Sequence, residues 1–412
     1  MNKILWIGCF ASDKDFNEMS KKGYNLASAQ VSQKNLINGI EEASGCIIDT
    51  LNEYVLPPYP QYADKVIERK EWSHRKGAAD VSVGYQNIKY YNHISSTSAL
   101  VKETQAWALN HRNEKKLIVF VYSMRSPVMK AAKALKKIIP SAKVFLIVTD
   151  LPQFMDLGMS KMKALLKRID WVGIQSLMKS VDGYVLYTRH MAVFLNIPNG
   201  MWMLMEGTLN LADVPQITVK QTQLKKIVVM YSGIIEKRYG IHELLDAFSL
   251  IENPDYELWI TGGGNAAGLI EERAKTDGRI KYFGFLPSRQ DVLKKQQQAS
   301  MLINMRLPNE TASAYCFPSK IFEYMASGRP VLSFKIDGIP EEYFDFMIEI
   351  EEVSKQAIKK AIEKVGCMTE TERVDLGSKA REFVVNNKNT YVQAENIMNF
   401  VGGKYVESIM DM

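Results

Sequence analysis

Three stretches of this 412-residue sequence place glycine, cationic and carboxylate residues at spacings that suit phosphate and diol recognition. In Ile260-Thr261-Gly262-Gly263-Gly264, an apolar run passes into glycine just before a helical pattern. Backbone without side chains can approach a phosphate there, at a helix N-terminus, with Gly263 and Gly264 as candidates. The same residues also suit a plain strand-to-helix turn that needs positive φ. Tyr231-Ser232-Gly233 repeats the arrangement, with Lys237 and Arg238 just ahead of Gly240. Gly233 and the two cations would suit a pyrophosphate; two solvated loop charges are the alternative. The third stretch is Cys316-Phe317-Pro318-Ser319-Lys320-Ile321-Phe322-Glu323. Ser319 is expected to cap a helix whose opening turns carry Lys320 and Glu323. A carboxylate so placed accepts both hydrogen bonds of a vicinal diol such as ribose, or simply offsets the helix macrodipole.

Asp150 follows the apolar run Val144 to Val148, as a site carboxylate or as a strand-end cap. The five histidines (His74, His93, His111, His190, His242) have no metal-ligand spacing, and no Asp-x-Asp follows a strand, so no metal is expected. The four cysteines are scattered, which suits a reducing cytoplasm and no disulfide framework. Residues 161–174 read as a basic amphipathic helix. Lys161, Lys163, Lys167 and Arg168 stand against Met162, Leu165, Leu166, Ile169 and Trp171. Such a helix can lie on an anionic membrane, or pack as an ordinary surface helix.

The elements that must position these residues alternate. Lys3 to Gly8 is an apolar first strand, not a signal peptide. A polar loop follows it, then a helix from about Asn25 to Glu42. Residues 51–95 are the least patterned, and the charged run Asp64 to Lys76 is expected to be helical. Strands at Lys116–Tyr122, Val144–Val148 and Gly183–Tyr187 are separated by helices at Met124–Ile139 and Ser160–Lys179. After unpatterned residues 208–224, strands at 227–231, 256–260, 280–283, 301–304 and 331–334 again alternate with helices, and Ser378 to Val401 reads as a final helix. The chain is therefore expected to be α/β, with two doubly wound, Rossmann-like domains. The boundaries are 1–207, a linker 208–224, and 225–387.

Composition excludes other classes. An apolar fraction of 46% and a charged fraction of 24% are those of a globular chain. No stretch reaches the roughly 18 uncharged apolar residues of a membrane span. The net charge of +6 is uneven. Residues 1–215 hold 27 Lys and Arg against 19 Asp and Glu, and the remainder 25 against 27. A basic first half can face a membrane or a phosphorylated substrate; it lacks a nucleic-acid-binding motif.

Taken together, Tyr231 to Phe248, Leu258 to Gly264 and Phe317 to Val331 resemble, in order and spacing, the C-terminal domain of GT-B glycosyltransferases of family 4. Val148-Thr149-Asp150-Leu151-Pro152, Asp182 to Thr188 and Glu206-Gly207 resemble a subgroup of bacterial surface-polysaccharide enzymes. The resemblance implies two Rossmann-like domains facing a cleft, with helix 388–403 returning to the first. It implies a retaining, metal-independent transfer, without cofactor, from a nucleotide-diphosphate sugar to a polysaccharide or lipid-linked glycan. It also implies a cytoplasmic protein, peripheral at the inner face of the plasma membrane. Glu323 matches the second carboxylate of the family's Glu-x7-Glu; Tyr315 stands at the first. Ile234 and Tyr239 replace its loop Arg and Lys, and Thr149 replaces its His before Asp150. Glu310 and Asn309 are candidates near the donor sugar, and Gly23, Tyr24 and Asn25 hold the acceptor-side position. A nucleotide-sugar epimerase on this fold, or a non-catalytic donor-binding subunit, are the alternatives.

Overall fold

The structure, a computed structural model, describes residues 3–23, 27–154, 161–216, 226–308 and 310–410. The chain divides into two compact units, Met1–Met205 with Thr390–Met412, and Glu206–Asn389. The expectations for Tyr24, Asn25, Asn309 and residues 217–224 of the linker fall outside the described residues.

The first unit is built on ten strands: β1 (Lys3–Gly8), β2 (Ile48–Asn52), β3 (Val66–Ile67), β4 (Lys70–Trp72), β5 (Asp80–Ser82), β6 (Tyr85–Gln86), β7 (Leu117–Tyr122), β8 (Lys143–Val148), β9 (Gly183–Leu186) and β10 (Trp202–Leu204). Eight form one sheet in the order β10-β9-β8-β7-β1-β2-β5-β4, parallel except where β4 runs against β5. Ile4 to Ile7 and Val119 to Phe120 are wholly buried, as apolar strands covered on both faces must be. The helices are α1 (Asp13–Lys21), α2 (Ala27–Ser44), α3 (Asn92–Asn110), α4 (Ser126–Ile138), α5 (Lys161–Met178) and α6 (Arg189–Phe194).

Two expectations are corrected in this unit. The polar loop after β1 contains α1, started by Ser12, whose hydroxyl accepts the Asp15 N–H at 3.1 Å. The charged run 64–76 is not helical. Its good helix formers have no apolar 3.6-residue period, and Lys70–Trp72 instead pairs with β5, with the Trp72 indole donating to Ser82 Oγ at 3.0 Å.

The second unit carries β11 (Ile227–Ser232), β12 (Tyr256–Thr261), β13 (Ile280–Tyr282), β14 (Met301–Asn304), β15 (Val331–Phe334) and β16 (Ile348–Ile350), all parallel, in the order β13-β12-β11-β14-β15-β16. Its helices are α7 (Ile241–Ser249), α8 (Ala267–Thr276), α9 (Arg289–Gln298), α10 (Lys320–Ala326), α11 (Lys355–Gly366) and α12 (Glu370–Asn387). The expected single C-terminal helix is broken. Asn389 follows α12, its amide capturing the Val385 carbonyl at 2.8 Å, and α13 (Thr390–Met410) starts afresh. Lys388 at the break is half-buried and bonded to Glu206 at 2.9 Å and Glu342 at 2.7 Å.

α13 belongs to the first unit, where Ala394, Ile397 and Val401 join the core cluster of Leu36, Ile37 and Ile40 on α2. Burying each large apolar side chain of that contact contributes about 1.5–3 kcal/mol. Gly39 sets the approach, since a Cβ there would lie 2.9 Å from the Thr390 carbonyl oxygen.

Candidate functional site

In each sheet the strand order reverses beside the first strand, between β1 and β7 in the first unit and between β11 and β14 in the second. The carboxyl ends of the strands at such a reversal are where open α/β sheets bind ligands. Gly233, Lys320, Glu323 and the glycine run 262–264 all gather at the β11 side of the second reversal.

Tyr324 fixes this arrangement. Its buried hydroxyl accepts the Ser232 N–H at 2.9 Å and donates to the Ser232 carbonyl at 2.8 Å, locking α10 to the end of β11. Burial pushes its phenol up to about 12, so the hydroxyl remains a donor. Gln296, wholly buried on α9, donates from one amide nitrogen to Ser232 Oγ at 2.8 Å and to Glu323 Oε1 at 2.7 Å. Lys320 Nζ adds a second contact to that carboxylate at 3.1 Å, and Arg289 Nε stands 3.8 Å from its other oxygen. Glu323 is thus an oriented carboxylate with cations on two sides. The Lys320 side chain also passes 3.9 Å from the Cβ position of Gly233.

The glycine run has a packing task. A Cβ on Gly262 would meet the Gly233 carbonyl oxygen at 1.8 Å, and one on Gly264 the Ile235 oxygen at 2.1 Å. The two strand-exit loops are bonded backbone to backbone, Gly233 N–H to Thr261 O and Ile235 N–H to Gly263 O, both at 3.0 Å. The glycines therefore build the seam that holds the β11 loop in place. Ser319 occupies the position before α10 but is in helical conformation and makes no side-chain cap, so the capping expectation fails. The preceding residue, Pro318, has no N–H, and its carbonyl accepts the Ile321 N–H.

Lys237 and Arg238 are exposed in a 3-10 turn, Lys237–Tyr239. Arg238 donates to Glu236 at 2.7 Å and stacks on the Tyr239 ring at 5.0 Å; Arg306, just beyond β14, approaches the same ring at 5.2 Å. Tyr239 thus gathers two guanidinium groups. Partial burial lowers the Arg238 pKa, but Tyr239, Glu236 and Glu310 outweigh it and leave it raised. Glu310, which opens the 3-10 turn Thr311–Tyr315, belongs electrostatically to this group.

Asp150 lies in the first unit, exposed after β8, and its charge acts on Tyr122 and Tyr187. Burial first, then Asp150, pushes Tyr187 up to about 12, and its hydroxyl meets Ser32 Oγ at 3.0 Å. Gly23 ends α1 with φ +89° and its N–H on the Ser20 carbonyl. On α5, Leu165, Ile169 and Val172 are 59%, 61% and 63% exposed, one stripe at helical spacing. Arg168 is exposed beside it. Lys167 is half-buried on the opposite face, with Asp170, which accepts from Ser126, and buried Ile174. The Lys163 side chain lies outside the described residues.

Sequence reading passed over Arg289, Gln296 and Arg306. Arg289 and Gln296 are seven residues apart on one helix face, and Arg306 follows the strand across the reversal. It also passed over Glu53 and Arg125, which pair at 3.3 Å at the first unit's reversal.

Residues 225–365 match the family model described as Glycosyl transferases group 1. That match lies wholly within the second unit. No curated protein sequence matches the chain. Solved structures share its fold at low identity. Sucrose-phosphate synthase from Thermosynechococcus elongatus is 15% identical, with 98% of this chain and 100% of that one covered and a TM-score of 0.64. The lipopolysaccharide outer core galactosyltransferase WaaB is 14% identical over 98% and 100%, at 0.63. Anabaena HepE in complex with UDP is 11% identical over 97% and 100%, at 0.64. The fold is that of GT-B glycosyltransferases, and the segment that matches the family model runs from β11 to α11. Among the described residues no group of three or more His, Cys, Asp or Glu could hold a metal ion, and no helix is long and apolar enough to cross a membrane.

Proposed function

We propose that the chain transfers a sugar, with retention, from a nucleotide-diphosphate sugar to a glycan or lipid-linked precursor of a surface polysaccharide. The observation that carries this reading is Glu323. Its carboxylate is oriented by Gln296 and Lys320 within hydrogen-bond distance and lies in the segment that matches the family model. A ribose diol donates two hydrogen bonds to such a group. Lys320, Arg289, Arg238, Lys237 and Arg306 surround the same strand ends and would stabilise the charge that develops on a departing diphosphate, so the reaction needs no metal. HepE has been solved with UDP, and a structure described as trehalose-6-phosphate from E. coli with UDP-2-fluoro glucose, which makes UDP the first nucleotide to test. Asp150 and Glu310 are the carboxylates proposed to face the reacting sugar.

The acceptor side is proposed for the first unit. The exposed stripe Leu165, Ile169 and Val172, flanked by Arg168, suits an anionic lipid surface. Co-sedimentation with phosphatidylglycerol vesicles but not phosphatidylcholine vesicles is expected, and Ile169→Asp should abolish it. Titration calorimetry with UDP and GDP tests the donor site: Glu323→Ala is expected to lose at least about tenfold in affinity, the worth of one charged hydrogen bond. Unchanged affinity would refute the assignment. Nucleotide binding without transfer to membrane extract would favour a donor-binding subunit instead.

A further inference from the structure

The two large sheets have four edge strands, β4 and β10 in the first unit and β13 and β16 in the second. Three of them are guarded. Glu71 is the central residue of β4, Lys281 of β13 and Glu349 of β16, and all three are exposed. A charge in the middle of an edge strand opposes pairing with another chain. β10 has no such guard. Its residues Trp202, Met203 and Leu204 are half-buried, and residues 191–205 include no charged side chain.

Pairing with β9 sets the main chain of this edge. The Tyr184 N–H donates to the Met201 carbonyl at 2.9 Å, and the Met205 N–H to the Leu186 carbonyl at 2.8 Å. Residues 201, 203 and 205 thus turn their main-chain groups to β9. Alternation along the strand turns those of Trp202 and Leu204 outward, away from the sheet. The Met203 side chain packs on the first unit's core, so the Trp202 and Leu204 side chains share the opposite face. Such an edge selects its occupant. Lipid is disfavoured, because it offers the outward N–H and C=O groups no hydrogen-bond partner. A charged strand is disfavoured by the apolar side chains it would be buried against. β10 of a second copy meets both demands. A two-fold axis at Met203 sets Trp202 of one copy opposite Leu204 of the other, antiparallel, and each such pair exchanges both of its N–H···O=C bonds. The same axis brings indole against leucine across the two strands.

We propose that β10 is a homodimer interface, joining the first-unit sheets of two copies edge to edge through Trp202 and Leu204. The proposal does not depend on the sugar-transfer reading. Sedimentation velocity on the full chain over about 1–100 µM tests it, since self-association follows mass action. A rise from monomer towards dimer is expected. Trp202→Lys/Leu204→Lys should weaken the dimer at least about tenfold, because it sets like charges against one another across the axis. UDP affinity should be unchanged in that variant. Amide exchange on the unaltered chain keeps the test independent of how the variant folds. The Trp202 and Leu204 amides should exchange several-fold more slowly at the top of that concentration range than at the bottom. A constant sedimentation coefficient, a dimer that persists unweakened in the folded lysine variant, or exchange at these two amides that ignores concentration would overturn the proposal. Monomers whose 202 and 204 amides are protected only by added phosphatidylglycerol vesicles would assign the edge to lipid and overturn it as well.

Discussion

The two sheets share a design and differ in what fills the reversal point. In the first unit three successive amides leaving β1 are occupied by side chains: Cys9 N–H by Gln33 at 3.0 Å, Phe10 N–H by Asn52 at 2.9 Å and Ala11 N–H by Gln30 at 3.0 Å. The arginine across the reversal, Arg125, is paired with buried Glu53. In the second unit Gly233 leaves β11 beside Lys320, and Arg306 across the reversal meets a tyrosine ring rather than a carboxylate. The unit with the positive excess thus has its crevice sealed and neutralised, while the nearly neutral unit concentrates cations at its crevice. Net charge by half of the chain says little about where an anion binds; local pairing decides it.

The comparison extends to buried charge. Each unit holds a half-buried cation between two carboxylates, and perturbing these gives the largest expected effects. In the second unit Lys388 sits between Glu206, whose side chain is 2% exposed, and Glu342. Lys388→Met removes the cation that Glu206 and Glu342 share and should cost about 3–5 kcal/mol, read as a lowered denaturation midpoint. In the first unit His74 bonds Asp80 at 2.8 Å and Glu41 at 3.1 Å. Burial pulls its pKa down, but the two carboxylates prevail and raise it from 6.5 to about 9. The folded form then holds the proton more tightly than the unfolded chain. The stabilisation is complete below pH 6.5 and is lost as pH rises through 9, on the order of 2–3 kcal/mol. Denaturation at pH 6, 8 and 9.5 checks this, and His74→Gln should flatten the dependence.

Smaller effects separate the two crevices. Arg306→Ala should weaken UDP binding about tenfold, since the proposed donor site loses one of its cations. Arg125→Gln should leave UDP affinity unchanged while lowering stability, because its task is to neutralise Glu53. Equal loss of affinity in both variants would erase the distinction between the units.

Much of this was legible in the sequence and some was not. The strands around both reversals are continuous apolar runs, and Pro127 and Gly328 mark α4's start and α10's end as their backbone constraints dictate. Glu323 stood out through its place after Pro318 and Ser319. Its partner Gln296 did not, because a buried glutamine on a polar helix (Arg289–Gln298) has no pattern distinguishing it from exposed neighbours. The strands in 64–76 were hidden because pairing partners lie eight or more residues away, and short edge strands of Lys and Glu contradict local propensity. α12 was missed at its start although Thr369 and Glu372 form a capping box there. The sequence pattern also set Lys167 with the exposed cations of α5, where helix geometry turns it inward.

The most direct test of the central claim, that the nucleotide is held by the second unit alone, is amide hydrogen exchange with and without saturating UDP. Protection is predicted in 232–240, 261–266 and 319–324, with none in 8–12 or 122–126. Protection confined to the β1 and β7 exits of the first unit would contradict it.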